Sequence, residues 1–295
     1  MKKIKNNIHG IILLDKPTGM SSNKALQIVK HRFNAKKAGH TGSLDPLATG
    51  LLPICLGQAT KISEYLLDSH KKYTTLIKLG QTTDTLDSEG QLIKSKPIEV
   101  SEAQLQAALE QFRGDIKQVP PMYSALKKDG QPLYKRARKG EVIDRPARDM
   151  TVHSLSAERI DEEHVRLNVH CSSGFYIRSL AHDLGQVLGC GAHVVELRRT
   201  EIKSVLVEQA VSLETIEHAE LEQVLSPIDS MIGDIPITNI SDEQKLSLTQ
   251  GRPTQANGLA VASLSRFYDA QQQLFAVGEV NKQGLLKTHK IFIDL

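Results

Sequence analysis

Blocks of apolar and polar positions follow one another along the chain, and their periods separate candidate strands from candidate helices. Residues 8–14, IHGIILL, form a short apolar run that predicts a buried strand. Residues 21–33, SSNKALQIVKHRF, set Ala25, Leu26, Val29 and Phe33 on one helical face behind a serine able to cap it. Residues 39–57 hold four glycines and two prolines and predict mostly loop. A helix is expected at 59–67 with Ile62, Tyr65 and Leu66 inward, and a strand at 73–79, YTTLIKL. Residues 80–100 are polar and turn-rich. Residues 101–113 predict a helix, with Ser101 and Gln104 as a capping-box pair and Leu105, Ala108, Leu109 and Phe112 in one stripe.

Residues 114–148 contain four prolines and the segment KRARK at 135–139, which predicts a long basic excursion with little regular structure beyond a short helix near 132–139. Strict alternation in VRLNVHC, 165–171, predicts a strand. A helix follows at 176–188 with Ile177, Leu180, Ala181, Leu184 and Leu188 inward, then a strand at 193–205. Residues 206–233 are acidic and partly helical in pattern. Beyond Pro236 the runs LAVASL and LFAVGEV, with Gly and Asn turns, suggest a small β-rich domain at 237–295. There is no internal repeat.

At 295 residues the chain is long enough for one large domain and a small one, and its 40% apolar content supports a packed core. With no Trp and few other aromatics, broad base-stacking platforms are excluded, so any aromatic in a binding site acts singly. Cys55, Cys171 and Cys190 lack C-x-x-C spacing, which argues against a disulfide framework and a structural zinc. The early apolar run, ended by Asp15, is too short for a signal peptide or a membrane span, so the expectation is a soluble cytoplasmic protein without membrane partners. The net charge of +3 is unevenly spread. Residues 1–40 carry nine Lys/Arg against one acid, residues 113–148 ten against four, and residues 201–243 ten acids against one Lys. The basic segments favour a polyanion, or else an ordinary solvated surface.

Phosphate-loop, dinucleotide-binding, zinc-protease and nucleophile-elbow signatures are absent. DKPTG at 15–19 reads as a strand-to-turn junction whose Lys16, exposed after a strand, could touch phosphate. Residues 39–50, GHTGSLDPLATG, stand apart. Asp45 is followed by Pro46, which stiffens its backbone, and is flanked by Gly39, Gly42 and Gly50, which permit tight turns and close approach of a ligand. A carboxylate fixed on a rigid loop suits chemistry; the alternative is a turn in which Asp45 caps a backbone group.

GHTGSLDPLATGLLPI at 39–54 closely resembles the central motif of the TruB family of pseudouridine synthases. IHGIILLDKPTGMSS at 8–22, KKYTTLIKLGQTTDTLDSEG at 71–90, CSSGFYIRSLAHDLG at 171–185 and HVVELRRTEI at 193–202 resemble further segments of that family, in order, and the tail resembles a small PUA-type RNA-binding barrel. The resemblance implies an α/β (α+β) fold with a mixed, largely antiparallel central sheet flanked by helices, as a catalytic domain over 8–233, and a PUA-like β-barrel over 237–295. It implies isomerisation of uridine 55 in the T loop of tRNA to pseudouridine, without metal or cofactor, by a monomer that also assists tRNA folding.

Carried over residue by residue, Asp45 matches the nucleophile, acting at C6 of the base or C1′ of the ribose. An aspartate is ionised near neutral pH and needs no general base. Arg178 matches the arginine paired with it, its fork able to orient both oxygens. Tyr73 matches the tyrosine that stacks on the uracil. Tyr176 matches a second residue beside the substrate, Leu197 an apolar wall, and His40 a contact where the base leaves its stack. Lys135, Arg136, Arg138 and Lys139, on a mobile insertion, would contact phosphates of the tRNA T stem-loop. Two other readings stay open: an RNA-folding chaperone whose main role is not catalytic, and a glycoside- or nucleoside-directed hydrolase, which would need a second acid such as Asp84 or Asp87 near Asp45.

Overall fold

The computed structural model describes residues 4–256 and 261–293. Lys2 and Lys3 of the basic N-terminal segment, and Leu259 and Ala260 of the LAVASL run, lie outside them. A ten-stranded sheet forms the body, its main path running through strands Leu225–Ser226, Gly10–Lys16, Thr49–Leu56, Ala192–Ile202, Lys71–Leu79, His164–Cys171, Arg148–Arg159 and Gly114–Gln118. Every pairing along this path is antiparallel except that of Ala192–Ile202 with Thr49–Leu56, where Arg198 and Arg199 lie opposite Thr49 and Gly50. The mixed, largely antiparallel sheet expected from the resemblance is therefore present.

Helices Ser22–Arg32, Glu102–Glu110 and Ile177–Val187 start as their sequences dictate. Ser21 accepts from the backbone N–H of Lys24, and Ser101 and Gln104 close a capping box. Ala25, Leu26, Val29, Leu105, Ala108, Leu109, Ile177, Leu180, Ala181 and Leu184 all enter one apolar cluster on one face of the sheet. The helix expected at 59–67 begins as a 3₁₀ turn, Gly57–Ile62, and continues as Ser63–Leu67, with Ile62 and Leu66 buried.

Two expectations need correction, and one strand was not foreseen. Residues 39–57 are not mostly loop: Ala38–His40 and Thr49–Leu56 are strands, and only 41–48 lies between them. Gly and Pro content misleads there because Gly50–Leu56 is buried throughout, so the strand shows a continuous apolar run instead of alternation. The segment 114–148 opens with an edge strand, Gly114–Gln118, paired to 148–152. Its partner, Arg148–Arg159, is a twelve-residue strand with no clear sequence signature, because a bulge between Val152 and Ser154 breaks its alternation.

The tail forms the expected β-rich unit, a five-stranded sheet in which Ala262–Tyr268, Leu274–Val280 and Leu285–Ile291 pair in succession. It also carries an unforeseen helix, Asp242–Thr249, capped by Ser241. Phe267, Phe275, Ala276 and Leu286 give this sheet its own core. Its other side closes over the body: Leu274, Val277 and Phe292 share an apolar cluster with Ile11, Leu51, Ile62 and Leu66. Lys61 donates to the carbonyl of Ile291 at 2.6 Å across this junction. The three cysteines are free and buried. Among the described residues no helix is long and apolar enough to cross a membrane.

Candidate active site

The loop 41–48 hangs between two strands and is held mainly by side chains reaching it from elsewhere. Lys16 ends strand Gly10–Lys16 and is fully buried, its ammonium donating to the carbonyls of Pro17 at 2.7 Å, Ala48 at 2.7 Å and Pro46 at 3.4 Å. It is therefore not the exposed phosphate contact that its position after a strand suggested, because the loop folds back over it. Burial lowers its pKa to about 8, against the pull of Asp45. Ser22 clamps the loop from the helix, accepting from Leu44 N–H at 2.7 Å and donating to Leu44 C=O at 2.9 Å. Gly50 closes the loop at φ +104°, where a Cβ would stand 2.3 Å from the carbonyl oxygen of Arg199. Only glycine lets the two strands meet there.

Asp45 and Arg178 meet as expected. Arg178 sits in the first turn of helix Ile177–Val187 and is buried, with its Nε 2.8 Å from Asp45 Oδ2. The fork does not embrace both carboxylate oxygens. Its NH1 donates to the carbonyl of Thr85 at 3.0 Å and lies 3.4 Å from Asp87 Oδ2, and its NH2 donates to the carbonyl of Tyr123 at 2.7 Å. Arg178 thus ties together the Asp45 loop, the turn at 84–87 and the base of the basic insertion. The Asp45 side chain keeps 37% of its surface exposed. Desolvation pushes its carboxyl above the usual carboxylate range; Arg178 opposes this, Asp87 adds to it, and Lys16 opposes it more weakly.

Tyr73 lies on the central strand Lys71–Leu79, buried in the cluster that also holds Leu44 and Leu197. Arg199, opposite Tyr73 in register, is fully buried, and its positive charge acts on the Tyr73 hydroxyl in the direction that favours the phenolate. The same guanidinium donates to Leu51 C=O at 2.8 Å and Gly42 C=O at 3.2 Å. Burial pushes the Tyr73 hydroxyl above its ordinary pKa. Tyr176 precedes the Arg178 helix and is half-buried. Its backbone N–H donates to Gln118 Oε1 at 2.8 Å, and Gln118 Nε2 returns a bond to the Tyr176 carbonyl at 3.0 Å. Burial, and then Asp45, raise the Tyr176 hydroxyl, which places it in the field of the same carboxylate. His40 ends the strand that leads into the loop; its Nδ1 is buried without a hydrogen-bond partner, and burial followed by Arg199 lowers its pKa.

The basic insertion contributes less free charge than its sequence suggests. Lys135 and Lys139 are exposed, and Arg138 is exposed with its guanidinium 5.6 Å from the Tyr134 ring centre. Arg136 is engaged within the insertion by Glu141 at 2.9 Å and Asp129 at 3.5 Å. The short helix there runs Leu133–Ala137. Of the two acids considered for a hydrolase, Asp84 caps a turn through Gln91 N–H at 2.7 Å. Asp87 does approach the site, but its carboxylate is taken by Arg178, by the Thr85 hydroxyl at 2.5 Å and by Glu89 N–H at 3.2 Å. Neither is a free second acid.

Sequence reasoning passed over Arg199 and Gln118 and misjudged Asp87. For Arg199 a signal existed: with Leu197 inward on a strand, period-two alternation puts Arg199 on the same face. What the arrangement can do chemically is narrow. It offers one half-open carboxylate beside a buried cation, a phenol opposite a second buried cation, and an apolar wall, which suits nucleophilic attack on a flat ring inserted against Tyr73 and Leu197.

Residues 30–177 match the family described as TruB family pseudouridylate synthase (N terminal domain), and residues 178–233 match the tRNA pseudouridylate synthase B C-terminal domain. A protein named tRNA pseudouridine synthase B from Ectopseudomonas mendocina (strain ymp) is 48% identical over 298 residues, covering 99% of this chain and 97% of that protein. One of the same name from Shewanella sp. (strain ANA-3) is 48% identical over 300 residues, covering 97% of this chain and 95% of its own length. A solved Cbf5-Nop10-Gar1 complex contains a chain that superposes with a TM-score of 0.73 at 26% identity, covering 97% of this chain and 85% of that one. Family match, near full-length identity and shared fold agree: the chain belongs to the TruB family of pseudouridylate synthases.

Proposed function

We propose that the chain isomerises uridine 55 in the T loop of tRNA to pseudouridine, with Asp45 as nucleophile. The observation that carries this reading is the half-open Asp45 carboxylate held 2.8 Å from the buried Arg178, next in the chain to Leu44, which shares an apolar cluster with Tyr73 and Leu197. Asp45 attacks C6 or C1′ to hold one fragment while the other turns, and both routes need the same ionised carboxylate. The glycosidic bond between N1 and C1′ breaks, the uracil turns, C5 bonds to C1′, the bond to Asp45 breaks to restore the carboxylate, the C5 proton leaves and N1 takes up a proton. The reaction is an isomerisation with no net oxidation, so side chains suffice for it.

The uracil enters flipped from its loop and stacks on Tyr73 against Leu197, with Tyr176 beside it. The Tyr73 hydroxyl, with Arg199 buried opposite it, handles the C5 proton. His40 meets the RNA where the base leaves its stack, which offsets part of a flipping cost of a few kcal/mol. Lys135, Arg138 and Lys139 reach phosphates of the T stem, and the tail over 237–295 acts as a PUA-like RNA-binding domain beside a catalytic domain over 8–233. The protein works as a cytoplasmic monomer.

The test is tritium release from tRNA carrying 5-tritiated uridine, with pseudouridine mapped in the product. The wild type should release tritium and place pseudouridine at position 55. Asp45→Asn should bind the RNA and release none. Pseudouridine at another position would overturn the substrate assignment, and undiminished release by Asp45→Asn would remove Asp45 from the chemistry.

A further inference from the structure

We propose that His70, His153 and His170 form a binding site for a divalent first-row transition cation, of the zinc, nickel or cobalt class, on the sheet face turned away from the Asp45 cleft. The three are far apart in sequence and converge only through the sheet. His70 immediately precedes strand Lys71–Leu79, His170 lies opposite Lys72 in the neighbouring strand, and His153 falls within the bulge of the next strand, where Ser154 lies opposite His170. Successive residues of a strand face opposite sides. Val169 lies opposite Tyr73, so His170 faces away from the side on which Tyr73 is buried. The bulge matters for the third ligand: it leaves both His153 and Ser154 exposed between the buried Val152 and Leu155, so His153 joins His170 on the outer face.

The geometry fits a metal. One ring nitrogen from each histidine lies within 4.8 Å of the other two. His153 Nε2 and His70 Nδ1 are 2.8 Å apart and share a hydrogen bond, and the His153 and His170 ring centres are 4.7 Å apart. A tetrahedral ion with ligand bonds of about 2.0–2.1 Å needs nitrogen separations of about 3.3 Å. The His70–His153 pair would open by about half an ångström and His170 would move in by at most about 1.5 Å, displacements within the reach of side-chain rotation. Three imidazoles with a fourth position open to water are a donor set preferred by zinc, nickel, copper and cobalt over magnesium or calcium. The nearest ammonium, Lys72, is paired with Glu201 at 2.8 Å, which reduces its repulsion of an incoming cation.

The experiment uses the full chain without a polyhistidine tag, freed of metal by chelation. Co²⁺ is titrated at neutral pH, followed by visible absorption and calorimetry, and then displaced by Zn²⁺. One equivalent should bind with d–d bands of four- or five-coordinate cobalt, and excess Mg²⁺ should not displace it. His153→Ala and His170→Ala should each weaken binding by more than tenfold, since loss of even an outer-shell partner costs about 10–100-fold. Because these side chains are exposed or half-exposed and outside the cleft, both variants should keep the wild-type rate of pseudouridine formation, whatever the RNA position modified. The absence of saturable binding, or equal binding by the His153→Ala/His170→Ala double variant, would overturn the site.

Discussion

Replacing Arg178 with Met separates what this residue does for the fold from what it does for the carboxylate. In the wild type its guanidinium serves Asp45, Asp87 and the carbonyls of Thr85 and Tyr123. Asp87, only 4% exposed in its side chain, would be left as a buried carboxylate with no cation. Breaking a buried pair by removing one partner costs about 3–5 kcal/mol, whereas the 37%-open Asp45 would lose about 0–1 kcal/mol of pairing. The expected loss for Arg178→Met is therefore about 3–5 kcal/mol, and for Asp45→Asn under about 1 kcal/mol. Adding Asp87→Asn to Arg178→Met removes the stranded charge, so the double variant should be more stable than additivity predicts, with a coupling of about 1–3 kcal/mol. Urea denaturation at neutral pH of the wild type, Asp45→Asn, Arg178→Met, Asp87→Asn and the double variant gives these numbers directly. If Asp45→Asn were as destabilising as Arg178→Met, or if the two changes at 178 and 87 simply added, Arg178 would not be the buried tie described.

Three further outcomes follow from the same geometry. The acid limb of the pH–rate profile should lie above the ordinary aspartate range, because desolvation raises Asp45, and activity should fall as pH drops through that limb. Exchanging Arg178 for Met removes a cation that favours the anion, so the limb must move to higher pH; a limb that stayed put would belong to another group. Gly50→Ala should destabilise by about 3 kcal/mol or more, combining a left-handed φ with a backbone clash, against about 1 kcal/mol for Gly19→Ala, whose φ is +77° with nothing within 4 Å. Equal thermal midpoints for these two variants would contradict the close approach at Arg199. Removing residues 237–295 uncovers the cluster shared by Leu274, Val277 and Phe292, and at about 1.5–3 kcal/mol per side chain the body should lose roughly 5–9 kcal/mol of burial. A truncated body that melted at the full-length temperature would show the tail to be a detachable module.

The fold was legible wherever one face is wet. The helices at Ser22–Arg32, Glu102–Glu110 and Ile177–Val187 and the strand His164–Cys171 all show a clean period because one side meets water. Thr49–Leu56 was hidden because it is buried on both sides, and Arg148–Arg159 because its bulge shifts the period partway along. In the site, Asp45 stood out by its local context alone. Asp87 and Lys16 did not, since burial of a charged residue depends on partners far away in sequence: Asp87 needs Arg178, and Lys16 needs the loop that closes over it at Pro46 and Ala48. The three-histidine cluster was unreadable for the same reason, because its spacing exists only across strands.

A glycine-rich loop makes a poor platform for chemistry unless something outside it fixes its backbone, since its own residues supply little packing and carry much conformational entropy. Here the fixing groups are cations. Lys16 takes the carbonyls of Pro46 and Ala48, and Arg199 takes those of Gly42 and Leu51, so the loop is gripped at its start, middle and end. Lys71, buried beside Arg199 with its pKa lowered to about 8, binds the carbonyls of Leu67 and Ser69 and steadies the turn that leads into the Tyr73 strand. Arg178 completes the set from the helix side. Apolar residues could hold the same backbone only by leaving those carbonyls unsatisfied, at about 1–3 kcal/mol each. The cations do two things at once: they replace the hydrogen bonds that a strand or helix would give the loop, and two of them, Arg178 and Lys16, set positive charge against the half-open carboxylate. That field favours its ionised form, in opposition to the desolvation that would otherwise protonate it. Rigidity and reactivity of Asp45 therefore share an origin in Lys16 and Arg178, and a substitution that neutralises either of these two cations should loosen the loop and raise the acid limb together.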